Sequence, residues 1–310
     1  MVHGYPPKHN AGAEWMLHEM LRFLVTRGHG ATVLLQGGKP YNFEGVRVEG
    51  EENIRKEIQG CDLIISHLKR AGRALNIAER WGKTYVELVH NSNTCGIIKA
   101  KHRDRGNGRF VYVVYNSEYT KKVNGYPNPS IVVHPPVDEK RYKVAPGKKI
   151  TLINLYENKG GKFFHDLARL MPEYNFLGAE GGYGTQVKED LANVTYLKNT
   201  PDAKKIYAKT RILLMPSKYE SYGRTGIEAF TSGIPVIANP TPGLKESLGD
   251  AGIFCKIESP LSWVDAIKKL DDEGEYKKAS DRCVARAEMV ARSIDKELIN
   301  MERFFNQIIK

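Results

Sequence analysis

Two glutamates, Glu220 and Glu228, stand with seven residues between them in a stretch that also holds Gly223, Arg224, Thr225 and Gly226. The apolar run Ile212-Leu-Leu-Met215 ahead of it has the pattern of a strand covered on both faces, and Pro216-Ser217 ends that run. Gly223 and Gly226 bracket the opening of a helix through Glu228, Gly233 stops it, and Val236-Ile-Ala238 supplies the next strand. Such a helix start leaves backbone N–H groups unpaired above a sheet edge, where they suit an anion. The two carboxylates would flank the anion rather than cancel it. The same spacing also fits an ordinary α/β crossover carrying two solvated glutamates.

Two more places in the second half bring suitable groups to the same edge. Lys159-Gly160-Gly161 follows an expected strand over 150–155 and offers a cation on flexible backbone. Gly178, Gly181, Gly182 and Gly184 follow an expected strand over 174–177 and allow a ligand to approach the backbone closely. A lysine together with a helix start is what a diphosphate needs, because both supply positive potential without consuming a proton.

The elements that must position these groups alternate along the whole chain. In the first half, helix spacing at Ala13, Leu17, Leu21 and Leu24 predicts a helix from Gly12 to about Arg27. Strands are expected over 1–4, 31–35, 43–48, 62–66, 85–89, 110–115 and 131–133, with helices over 51–59 and 69–81 and a short one after Ser117-Glu118. After a linker at 144–149 the second half adds strands over 194–197 and 253–255, and helices over 162–170, 203–209, 262–271, 276–291 and 294–310. Short connections between alternating elements predict an α/β chain of two Rossmann-like doubly wound domains facing across a cleft. The expected boundaries are 1–145 for the first domain, 146–291 for the second, and 292–310 for a final helix on one or the other.

The composition is that of a soluble globular protein, with 41% apolar and 27% charged residues in 310. No apolar run approaches the ~20 residues that span a bilayer. The beginning of the chain lacks the charged and apolar regions of a signal peptide, and Cys61, Cys95, Cys255 and Cys283 are scattered. Neither a zinc site nor a disulfide framework is indicated, and a cytoplasmic location is expected. The net charge is +11 and unevenly spread: residues 1–144 hold 22 Lys and Arg against 14 Asp and Glu, the remainder 25 against 22. The stretch 98–109 carries five Lys and Arg against one acid, and Lys69, Arg70, Arg73, Arg80 and Lys83 form a second basic group. This charge suggests an anionic partner for the first half, and a merely basic soluble surface accounts for it equally well.

The run Glu220-x7-Glu228 with the following Ala-Phe-Thr-Ser-Gly-Ile-Pro-Val-Ile-Ala resembles the signature of the family 4 retaining glycosyltransferases of the GT-B fold. Asn154-Leu-Tyr-Glu-Asn-Lys159-Gly160 resembles that family's Arg-x4-Lys-Gly element, Phe176-Leu-Gly178-Ala-Glu-Gly181 its glycine-rich turn, and Asn193-Val-Thr-Tyr196-Leu197 its segment near the nucleotide base. Pro242-Gly-Leu-Lys-Glu246 resembles its late Gly-x-x-Glu turn, Gly12-Ala13 its phosphate-proximal loop, His90 its histidine after a central strand, and Asn116-Ser-Glu118 its Ser-Glu element.

The resemblance implies a sugar-nucleotide donor, linked to uridine or guanosine diphosphate, with neither cofactor nor metal. It implies that Glu228 accepts hydrogen bonds from ribose hydroxyls and Glu220 from the transferred sugar. Lys159 and the backbone at Gly223, Arg224 and Thr225 would hold the diphosphate, Gly12 and Ala13 would approach it, and His90 would contact the sugar or the reacting centre. Asn154 stands where the family has its arginine, and Arg224 is the residue placed to restore that charge. The acceptor is a hydroxylated base in DNA, a glycolipid reached by peripheral membrane contact, or a saccharide. The competing readings are a non-enzymatic nucleic-acid-binding Rossmann protein and a sugar-nucleotide epimerase. Oligomeric state is not encoded in any motif.

Overall fold

The computed structural model of the chain describes residues 1–37, 39–91, 111–127 and 129–309. The basic stretch 98–109, Cys95 and Phe110 therefore lie outside the described residues. The chain forms two compact units, one of Met1–His9, Ala13–Pro136 and Ser293–Lys310, the other of Asn10–Gly12 and Val137–Arg292.

In the first unit the strands are β1 (Thr32–Leu35), β2 (Tyr41–Phe43), β3 (Val46–Gly50), β4 (Leu63–His67), β5 (Thr84–Val89), β6 (Val111–Tyr115) and β7 (Ser130–Val132). They make a three-stranded sheet in the order β1-β3-β2 and a four-stranded parallel sheet in the order β4-β5-β6-β7. Residues 1–4 contribute one bridge, Val2 to Leu35, rather than the expected strand. The single strand expected over 43–48 is instead an antiparallel hairpin of β2 and β3. Its turn residues Glu44 and Gly45 both have positive φ, 51° and 84°, the pairing that matches strand twist in a two-residue turn.

The core under the four-stranded sheet holds Tyr85, Val89, Val113 and Tyr115 against Ala74, Leu75 and Ala78 of the helix Ala71–Trp81. Residues of the last helix close this unit. Glu302 Oε2 accepts from Arg27 Nε at 3.0 Å, Glu297 accepts from the His134 backbone N–H at 2.8 Å, and Phe304 stacks edge-on against Tyr112.

The second unit is one parallel sheet of β8 (Lys149–Ile153), β9 (Phe176–Ala179), β10 (Val194–Leu197), β11 (Thr210–Met215), β12 (Val236–Ala238) and β13 (Ile253–Phe254), in the order β10-β9-β8-β11-β12-β13. The order reverses between β8 and β11, and in open sheets of this kind ligands gather beyond the carboxyl ends of the strands at that point. Strands buried on both faces read as continuous apolar runs, as Ile212–Met215 does. Leu152, Phe164, Phe176 and the fully buried Trp263 form the centre of the core on one face.

Four further expectations are corrected. The unit begins before residue 146, because the helix Glu139–Tyr142, capped by Asp138, packs into it through Tyr142. Gly178 lies inside β9 opposite Tyr196, not in the loop beyond, and a Cβ there would meet the Tyr196 ring at 2.9 Å. The turn expected at Pro242–Glu246 is a helix, Pro242–Leu248, with Thr241 as its cap and proline in the first turn, where a missing N–H does no harm. The two helices expected over 276–291 and 294–310 are one, Glu273–Ile308, since no glycine or proline stands between Tyr276 and Ile308. Among the described residues no helix is long and apolar enough to cross a membrane.

Candidate active site

Within the second unit, the loops after β8 and β11 meet at an ion pair. Lys159 ends a short 3-10 turn, and Gly160 follows it with φ +89°, a conformation that side chains other than glycine's resist. A Cβ at Gly160 would lie 2.5 Å from Pro216, so the two loops are packed backbone against proline, and the Lys218 N–H donates to Asn158 O at 3.0 Å. This registration delivers Lys159 Nζ to Glu220 Oε1 at 2.6 Å, and Ser217 Oγ donates to the same oxygen at 3.0 Å. Burial acts to lower the Lys159 pKa, but Glu220 and the Tyr183 hydroxyl outweigh it and hold the ammonium above its ordinary value. Lys159 is thus a firmly charged donor, and Glu220 keeps Oε2 on the side away from both contacts.

Glu228 is fixed differently. Gly223, with φ +87°, caps the helix Arg224–Phe230, and the Gly226 N–H turns back to Gly223 O at 3.0 Å. One turn into the helix, Glu228 Oε1 accepts from Arg224 at 2.7 Å and Oε2 accepts from Tyr207 Oη at 2.8 Å. Arg224 also donates to Tyr142 Oη at 2.8 Å and lies over that ring. Arg224, the residue placed to restore the missing positive charge, has a buried side chain, 8% exposed, held along the helix by Glu228 and Tyr142. Tyr207 is kept protonated well above the ordinary phenol range by burial and by the Glu228 carboxylate. A carboxylate has about four lone-pair sites, so each Glu228 oxygen retains one for a hydroxyl.

Asn154 is likewise engaged. It sits in the left-handed region with φ 70°, and its Oδ1 accepts from the Tyr156 N–H and from Gln186 Nε2, both at 3.1 Å. Gln186, which no sequence pattern marked, holds the glycine loop: its Oε1 accepts from the Leu155 and Gly181 N–H groups at 2.9 and 2.8 Å, and its Nε2 reaches the Tyr183 and Gly184 carbonyls. Tyr196 is a brace as well. His165 Nδ1 lies 2.7 Å from Gly161 O, so that nitrogen carries the proton, and Tyr196 Oη lies 2.7 Å from both His165 Nε2 and Glu189 O. The same hydroxyl meets the Glu189 N–H, which leaves the backbone of Tyr196 and Leu197, not their side chains, as ligand-facing candidates. Leu197 is packed among Leu177, Ala179 and Ile206.

Gly12 and Ala13 open the helix Gly12–Thr26. A Cβ at Gly12 would meet no atom of the described residues within 4 Å. Its neighbour Asn10 donates to Thr200 O at 2.6 Å, in the loop beyond β10. In the first unit, His90 follows β5, and its Nε2 lies 3.0 Å from Nδ1 of the buried His67 at the end of β4. Burial pushes the His90 pKa down to about 4. Among the described residues no group of three or more His, Cys, Asp or Glu side chains is arranged to hold a metal ion.

Residues 186–288, a third of the chain, match the family model for glycosyl transferases group 1. The D-inositol 3-phosphate glycosyltransferase of Corynebacterium urealyticum is 34% identical over 86 residues, covering 26% of this chain and 20% of that protein. The O-antigen chain mannosyltransferase B of Escherichia coli is 34% identical over 101 residues, 30% of this chain and 26% of that protein. The matched segments thus span a fifth to a quarter of the curated relatives' length.

Among solved structures, a sucrose-phosphate synthase from Thermosynechococcus elongatus aligns with 99% of this chain and 95% of its own at a TM-score of 0.76 and 13% identity. The Anabaena protein HepE, solved in complex with UDP, aligns with 96% of this chain and 98% of its own at 0.72 and 16%. These likenesses show the fold, which is that of GT-B glycosyltransferases.

Proposed function

We propose that this chain, with its GT-B fold and its glycosyl transferases group 1 segment, moves a sugar from a nucleoside diphosphate to an acceptor hydroxyl with retention of configuration, in the manner of family 4. The observation that carries the reading is the Lys159–Glu220 pair, fixed where the loops after β8 and β11 pack together. In the reaction the bond from the anomeric carbon to the diphosphate oxygen breaks, with its electron pair passing to that oxygen. A bond from the acceptor oxygen to the anomeric carbon forms, and the acceptor's proton passes to the departing phosphate on the same face. Lys159 and the backbone N–H groups around Gly223, Arg224 and Thr225 stabilise the charge on the leaving group, where fixed dipoles contribute most. With that charge met by protein groups, the transfer proceeds without a metal ion.

Glu220 Oε2 accepts from hydroxyls of the transferred sugar and Glu228 from those of the ribose. Arg224 and Tyr207 orient Glu228 rather than touch phosphate. Asn154 and Gln186 hold the glycine loop against which the donor lies, and His90 meets the sugar. A uridine diphosphate sugar is the first donor to try, since HepE was solved with UDP and with UDP-glucose. The surplus of positive charge in residues 1–144 supports an anionic acceptor bearing a hydroxyl.

The test is a thermal-shift and calorimetric screen of UDP, GDP and their sugars against wild type, Lys159→Met and Glu228→Gln. Nucleotide stabilises the wild type, and Lys159→Met binds it about tenfold more weakly, as loss of a charge-assisted hydrogen bond requires. Absence of stabilisation by any nucleotide refutes the reading. Transfer assays with duplex DNA carrying hydroxymethylated bases, with anionic vesicles and with free saccharides then separate the acceptors.

A further inference from the structure

His67 and His90 are neighbours at the carboxyl edge of the four-stranded sheet. His67 pairs in register with Leu88, which sets His90 two residues beyond its own strand partner. His67 Nδ1 and His90 Nε2 are 3.0 Å apart, with the rings inclined at 63°. His67 is 1% exposed, and its other nitrogen, Nε2, is buried with no hydrogen-bond partner among the described residues. The next residue, Leu68, has φ 51°, an uncommon conformation for a leucine and a sign that the surrounding fold dictates where the His67 ring lies.

One proton is shared across this contact when both rings are neutral, and there are two ways to place it. If His90 Nε2 donates, His67 carries its own proton on Nε2, a buried N–H with no acceptor. If His67 Nδ1 donates, His67 Nε2 is a bare lone pair. An orphaned buried N–H is the rarer of the two defects in folded proteins, so the second arrangement is favoured. His90 then accepts on Nε2 and carries its proton on Nδ1.

We propose that His67 is a positioning residue that fixes His90 as a neutral Nδ1–H donor, making it a group that binds a substrate oxygen rather than a base. The idea rests on the reading above in assigning His90 to the sugar, but the tautomer itself does not. The low pKa of His90 is consistent with a ring that stays neutral near pH 7.

The experiment uses the full chain labelled with 15N-histidine and long-range 1H–15N correlation spectra. In wild type, His90 shows a protonated Nδ1 and an unprotonated Nε2, and His67 shows the same pattern. His67→Asn places an amide donor near the original Nδ1 and retains the His90 pattern. His67→Leu cannot donate, so His90 moves toward a mixture of tautomers, and kcat for transfer falls about tenfold while the donor KM changes little. A protonated Nε2 on wild-type His90 overturns the proposal, as does an unchanged His90 spectrum and kcat in a folded His67→Leu. His90→Ala separates the two claims. Undiminished transfer in that variant removes His90 from the proposed function, whereas the spectra judge the His67 contact whether or not transfer is seen.

Discussion

Replacing Glu87 by glutamine should stabilise the protein near neutral pH and leave it almost unchanged in acid. Glu87 lies in β5, opposite Ser66 on one side and Val113 on the other, fully buried, and among the described residues neither carboxyl oxygen has a hydrogen-bond partner. It shares a strand face with Tyr85 and Val89, which are core residues. Burial pushes its pKa from 4.5 to about 8. The folded state therefore holds this proton more tightly than the unfolded state does. The associated stability is complete below about pH 4.5 and is lost as the pH rises toward 8.

At pH 7 the unfolded carboxyl is about 2.5 units above its pKa while the folded one is still largely protonated. The loss is then about 3 kcal/mol at ~1.4 kcal/mol per unit. Glutamine has a similar shape and no such loss. At roughly 2 °C per kcal/mol for a chain of this size, Glu87→Gln raises the melting temperature relative to wild type by about 6 °C at pH 7. The measurement is a pair of melting curves across pH 4 to 9 for the two proteins. A gap that opens between pH 5 and 8 supports the argument. Parallel profiles would show that the folded carboxyl ionises normally and that the burial argument is wrong.

Three further outcomes follow from contacts in the second unit. Arg224→Ala strands the Glu228 carboxylate in a buried place and lowers stability by roughly 3 kcal/mol, read as a fall in melting temperature. Adding Glu228→Gln to that variant recovers part of the stability without restoring nucleotide affinity. Gln186→Leu releases the Leu155 and Gly181 N–H groups and speeds their amide hydrogen exchange, while β11 and β12 keep their protection. Tyr207→Phe removes one of the two bonds that orient Glu228, so it weakens binding of ribose-containing nucleotides more than of inorganic diphosphate, as calorimetry can show.

Strands β9, β11 and β12 of the second unit were readable because they are buried on both faces and so carry nearly continuous apolar runs. Glu220 and Lys159 could be singled out because a strand end followed by glycine restricts where the next side chain falls. What could not be read was direction. Arg224 looks like a phosphate ligand by position, yet the helix period places it beside Glu228, and Tyr142, 82 residues away, completes the pairing. Gly178 looks like part of a ligand-approaching glycine cluster, but the ring of Tyr196 on the neighbouring strand requires it. Gln186 and His67 carry no local signal because partners such as the Leu155 N–H and the Asn154 amide for Gln186, and the His90 ring for His67, lie far along the chain. The hairpin at 41–50 was hidden because its turn is Glu-Gly rather than a commoner Asn-Gly or Asp-Gly pair.

The outermost strands bear on how the chain behaves among other chains. One edge of each sheet is very short, β2, β7 and β13 being three, three and two residues long, while the opposite edges β1, β4 and β10 have four, five and four. A foreign strand seeking a ladder of backbone donors and acceptors finds room for only a couple of bonds at any of the short edges, too few to hold it. Short borders of this kind are a protection against edge-to-edge aggregation, provided by geometry rather than by charge. Lengthening β13, where Cys255 already continues the backbone bonding to Ala238, would weaken that protection without touching the residues assigned to the donor.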